Sequence, residues 1–108
     1  MNTREPYEFK QQSIKSSLKA LCLLNGLDVQ VEMFQEAIDE MKMTIDSMIR
    51  YTLFTFTEVS ELYNFVANMI RDTKNSRLTL QVFLKNVLSD LDNVKVLLRH
   101  NMDKLYDA

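Results

Sequence analysis

Glycine and proline are nearly missing from this chain. Its 108 residues hold one proline, Pro6, and one glycine, Gly26, and nothing of either kind follows Gly26. These two residues are the strongest punctuators of local structure, and tight turns between strands lean on them. Their scarcity argues against an all-β or mixed fold and for long helices joined by short polar connections.

Other shortages narrow the chemistry. There is one cysteine, Cys22, so no internal disulfide can form and a reducing compartment is expected. Cys22 lies inside the apolar run Ala20–Leu24 and reads as a small core hydrophobe. The only histidine, His100, stands beside Arg99 near the end of a helical segment, where a cation suits the helix dipole. With one histidine, the paired Glu-x-x-His ligands of a ferritin-type di-iron centre cannot be assembled. Nor does a serine–histidine–carboxylate grouping emerge. No catalytic residue, metal site or cofactor is assigned.

Neither charge dominates. The net charge is −2 and the isoelectric point about 5.3, which disfavours binding driven by nucleic-acid phosphates. No run reaches the ~18–20 apolar residues of a membrane span. The opening residues show no basic stretch followed by an apolar one, so no signal peptide is expected and a cytoplasmic location is.

The apolar fraction of 46% and charged fraction of 26% are those of an ordinary globular domain. The expected organisation is a flexible N-terminus over 1–6 and a single helical-bundle domain over 7–108. Helix 1 is expected from Pro6 to Leu24. Ile14, Leu18 and Leu21 recur at helical spacing, and Gly26 is expected to end the helix in the left-handed C′ conformation. Lys10, Gln11, Gln12 and Ser13 make the first half of this helix polar, so it is expected to stand partly away from the rest.

Helix 2 is expected from Asp28, a good N-cap. Its apolar residues Val31, Phe34, Ile38, Met41, Ile45 and Met48 are spaced as in a coiled-coil heptad. Met33, Ala37 and Ile49 widen that stripe, which favours a multi-helix bundle over a two-stranded coil. The stretch Tyr51–Thr57 is rich in aromatics and threonines, mediocre helix formers, and is read as a break. Helix 3 is expected over Thr57–Thr73, capped either by the box pattern of Thr55 with Glu58 or by Thr57. After the polar link Lys74–Arg77, helix 4 carries Leu80, Leu84, Val87, Leu91, Val94 and Leu98, then Met102 and Leu105, with Phe83, Leu88 and Leu97 beside them. The fold class is therefore all-α: an antiparallel helical bundle of three long helices plus a partly detached N-terminal helix.

Acidic residues concentrate on helix 2, where Glu32, Glu36 and Glu40 recur every four residues. Lys10, Lys15 and Lys19 of helix 1 are candidates to neutralise them within the bundle. Left unneutralised, the row suits a basic partner. Phe54 and Phe56 fall in the break with no place on a helical stripe; exposed, they would form an aromatic anchor of the kind that carries binding energy. The expected partner-binding residues are thus Glu32, Glu36, Glu40, Phe54 and Phe56. The function read from these features is non-catalytic binding of another protein, of chaperone, adaptor or inhibitor type, as a homodimer. No membrane or nucleic-acid partner is favoured.

Two alternatives use other residues. Arg71, Lys74 and Arg77 make a basic connection that a helical DNA-binding transcription regulator would set against phosphates. Glu36, Asp39 and Glu40 followed by Glu58 and Glu61 supply the carboxylates that a Mg-dependent all-α nucleotide pyrophosphatase would need, although the apolar periodicity turns Glu36 and Glu40 away from the bundle interior.

Overall fold

Four helices make up the chain in the computed structural model: α1 (Glu5–Gly26), α2 (Val31–Tyr51), α3 (Phe56–Asp72) and α4 (Leu78–Asp107). The structure describes the backbone of residues 5–27, 29–73 and 77–107, and the side chains of 10–27, 29–73 and 77–101. The fold is all-α, with no strand among the described residues.

The break between α2 and α3 falls where the aromatic and threonine residues cluster. Thr52 adopts an extended conformation and its N–H closes α2 on the Met48 carbonyl. Thr55 then opens α3 with a complete capping box. The Glu58 N–H donates to Thr55 Oγ1 at 3.1 Å, and the Thr55 N–H donates to Glu58 Oε1 at 2.9 Å. Two orphan donors of the helix start are satisfied together.

The helix order in space follows from cross-chain contacts. At one pole, Arg77 before α4 reaches Asn25 at the end of α1 and Phe34 at the start of α2. Toward the other pole, Gln11 of α1 meets Glu58 and Glu61 of α3. Hence α1 runs antiparallel to α2 and α3 antiparallel to α4, while α1 lies parallel to α3 and α2 parallel to α4. The widest contact is α3 with α4, and α2 and α3 do not pack on each other among the described residues. They sit on a diagonal. Helix axes about 8–10 Å apart along the sides of a square are ~11–14 Å apart across it. The link Thr52–Thr55 is that crossing.

The core is one cluster drawn from every helix: Ile14, Leu18 and Leu21 from α1, Phe34, Ile38, Ile45 and Ile49 from α2, Val59, Leu62 and Val66 from α3, and Leu80, Phe83, Leu84, Val87 and Leu91 from α4. Phe54 from the crossing link joins it. Each fully buried aliphatic side chain contributes ~1.5–3 kcal/mol by leaving water.

Several expectations change. From Gln11 onward α1 is not detached. Ile14, Leu18 and Leu21 are fully buried, and Gln11 is itself buried. Its amide donates from Nε2 to the Glu58 carbonyl at 3.1 Å and to Glu61 Oε2 at 3.0 Å, which is how a polar residue sits at a packed interface without an unsatisfied donor. Helix α1 begins at Glu5, so Glu5 and Pro6 belong to its first turn, and it includes Gly26 with no positive φ. On α2 the buried line runs Phe34–Ile38–Ile45–Ile49, with Met41 and Met48 half-buried and Val31 exposed. The stripe is rotated toward Ile49 relative to the heptad read from spacing. The expected cap Asp28 and the polar link 74–76 lie outside the described residues, as do the side chains of Met102 and Leu105. Before α4, it is the Arg77 carbonyl that accepts from the Leu80 and Gln81 N–H groups.

Candidate functional site: an open groove between α2 and α4

The parallel pair α2 and α4 leaves a channel on the surface. Two depressions, of about 770 and 310 Å³, run end to end along it and share Lys42 and Asn86. The smaller lies at the start of the two helices, between Gln35, Ile38 and Asp39 on α2 and Leu78, Val82 and Phe83 on α4. The larger is lined by Asp46, Ile49 and Arg50 on α2, by Leu53 and Phe54 of the crossing link, and by Ser89, Asp90, Asn93, Val94, Leu97 and Leu98 on α4.

The cause is local. Two helices pack through the buried line of each, and here the crossing link draws the chain away from α2 toward α3. In the link the Phe54 N–H closes a tight turn on the Thr52 carbonyl at 3.1 Å; Leu53 at its tip is 77% exposed and Phe54 is 6% exposed. Leu97, about a quarter of a turn around α4 from the buried line, is 62% exposed. The groove therefore has an apolar floor of Ile49, Phe54 and Leu98 and open apolar walls at Leu53 and Leu97.

Charges stand along its edges. Asp39, Lys42, Asp46 and Arg50 come from α2 and Asp90 from α4. The Asp90 carboxyl is held above its ordinary value by partial burial and then by the carboxylate of Asp46, with Lys42 and Arg50 acting in the opposite sense. Two like charges from neighbouring helices thus confront each other across the channel.

The partner residues expected from sequence are divided by the structure. Glu32, Glu36 and Glu40 are exposed on α2, and none is engaged by a described cation. Of the three expected neutralisers, Lys10 is exposed, and Lys15 and Lys19 rest over the Phe65 ring of α3, 5.6 and 5.7 Å from its centroid. Phe54 is buried in the core cluster, which corrects its reading as an exposed anchor. Phe56 is half-buried under the Lys95 ammonium and the Arg99 guanidinium, 5.8 and 5.4 Å from its ring centroid. The two rings do not form one aromatic patch. Leu97, expected to widen the packed stripe of helix 4, is exposed at the groove instead, and Leu53 is a groove residue that spacing did not single out; the strand-like alternation of Leu53-Phe54-Thr55 was the available signal.

The carboxylates of the hydrolase reading are not brought together. Glu36 and Glu40 face out from α2, whereas Glu58 is buried in the α3 capping box and Glu61 accepts from Gln11. No group of three histidine, cysteine or acidic side chains is placed to hold a metal among the described residues. In the basic connection, Arg71 donates to Asn68 Oδ1 and Arg77 turns inward onto the Val29 carbonyl and the Phe34 ring; Lys74 lies outside the described residues. Cys22 is half-buried, and burial pushes its thiol up, away from the thiolate that reacts. His100 is exposed. No helix is long and apolar enough to cross a membrane among the described residues. No family model, no curated protein and no solved structure matches this chain.

Proposed function

We propose that this chain is a non-catalytic protein-binding module, of chaperone, adaptor or inhibitor type, that acts in the cytoplasm and offers the α2–α4 groove to another protein. The observation that carries the reading is the pair Leu53 and Leu97, 77% and 62% exposed at the mouth of a channel of about 770 Å³. Large apolar side chains beside a concave, polar-edged surface are the composition of a recognition site. The acidic row Glu32, Glu36 and Glu40 stands on the same helix and would govern association rate and salt dependence more than affinity.

A homodimer is the second half of the proposal. Leu27, Val31 and Leu78 are exposed on elements that meet at the Arg77 pole, where the starts of α2 and α4 would approach a two-fold axis. Sedimentation that finds only the 12.7 kDa species at high loading rejects that half.

The docking half is tested by affinity capture from the native host with two baits, the natural chain and Leu97→Asp, read by mass spectrometry. A protein retained by the first and lost by the second, at equal helicity of the baits, is the expected outcome. Identical captures reject the groove.

A further inference from the structure

The groove's length, shape and charge narrow what it takes. From Gln35 to Arg50 it follows α2 for about 22 Å at ~1.5 Å per residue, and it continues along the link to Phe54. Two parallel helices with an apolar floor between them form a seat for a third helix, laid with an i, i+3, i+4, i+7 stripe inward. The apolar positions fall at both ends, Leu78 and Val82 at one and Leu53 and Leu97 at the other.

Charge selects among such helices. Asp46 and Asp90 confront one another across the larger depression, and Asp39 lines the smaller. The row Glu32, Glu36 and Glu40 stands on the same helix outside the groove lining and adds negative charge to α2. Lys42 and Arg50 answer only part of this field. A ligand bringing carboxylates would add to the repulsion, and one bringing cations would relieve it.

We propose that the occupant of the α2–α4 groove is a basic amphipathic helix of a partner protein, its apolar stripe on Ile49, Phe54 and Leu97 and a lysine or arginine held between Asp46 and Asp90. This rests on the groove being a docking surface. The partner's arginine or lysine offsets the mutual repulsion of two carboxylates that line the same depression, and a further cation on the same helix face meets Asp39.

The test uses the full chain and a display library of peptides of about 18 residues, long enough for the groove at ~1.5 Å per residue. Each carries a fixed apolar stripe at helical spacing and randomised flanks. Selection is expected to enrich lysine and arginine in the flanks. Peptides so selected should lose at least ~10-fold in affinity toward Asp46→Asn with Asp90→Asn, lose binding to Leu97→Asp, and weaken steeply with salt. Peptides that lose binding to Leu97→Asp but carry neutral or acidic flanks, indifferent to the two asparagines, overturn the basic helix and leave the groove standing. A self-association dispersed by Leu97→Asp makes the occupant a second copy and likewise overturns the proposal. Absence of any binder sensitive to Leu97→Asp overturns both the helix and the groove.

Discussion

The guanidinium of Arg77 lies 4.6 Å from the centroid of the Phe34 ring. That one contact ties the start of α4 to the first turn of α2. The same arginine donates from Nη2 to the Val29 carbonyl at 2.6 Å, and its backbone N–H donates to Asn25 Oδ1 at 3.0 Å. One residue thus holds the α1–α2 hairpin against the α3–α4 hairpin and fixes the parallel pairing of α2 with α4 on which the groove depends.

Arg77→Ala removes both the ring contact and a charged donor, and a loss of about 1–3 kcal/mol is expected. Arg77→Lys should recover little, since an ammonium cannot lie flat on the ring while donating to the Val29 carbonyl. A double-mutant cycle with Phe34→Leu, followed by denaturant unfolding, should give a coupling of ~0.5–2 kcal/mol. Additive losses would show the contact to be energetically idle.

Gly26 separates two accounts of the end of α1. The sequence pattern asks for a left-handed glycine, where alanine is penalised. The structure gives Gly26 no positive φ and open space where a Cβ would stand. Gly26→Ala should therefore stabilise by about 0.4–1 kcal/mol. A destabilised variant in thermal unfolding would restore the left-handed cap.

Phe54 and Phe56 should behave unequally. Phe54 is 6% exposed within the core cluster, and Phe54→Ala should cost about 3–5 kcal/mol. Phe56 is half-buried under Lys95 and Arg99, so Phe56→Ala should cost distinctly less. Equal shifts in the denaturation midpoint would contradict the burial of the link.

Asp90 carries a pH signature. Burial, then Asp46, hold its carboxyl above the ordinary 3.8, so the folded state keeps this proton more tightly than the unfolded one. Stability from this group is then lost as pH rises from 3.8 through the raised value. Asp90→Asn should accordingly be more stable than the natural chain at neutral pH, with the difference closing as pH falls through the carboxylate range. Unfolding of both proteins across that range reads it; a difference independent of pH would show the charge of Asp90 to be immaterial.

What could be read from the sequence was local. The helical stripes of α1, α3 and α4 placed Ile14, Leu18, Val59, Leu62, Leu84 and Leu91 in the core, where they lie fully buried. The Thr55–Glu58 box marks the α3 start because its two hydrogen bonds span three residues. The misses are long-range. Gln11 looks like a solvated residue until Glu58 and Glu61, 47 and 50 positions away, receive its amide. Arg77 looks like a basic loop until Asn25, 52 positions away, meets it. The groove could not be read either, because it arises from α2 and α3 standing on a diagonal, a property of the assembled bundle rather than of any one helix.

The central claim is that the α2–α4 groove is the surface this protein uses. Val96 and Leu97 are neighbours on α4, 60% and 62% exposed, and only Leu97 lines the groove. A photo-reactive amino acid placed at one position or the other in the native host compares them at matched exposure. A covalent adduct with a protein partner at position 97 and none at 96 is the predicted result. Adducts at 96 alone, at both equally, or at neither contradict it.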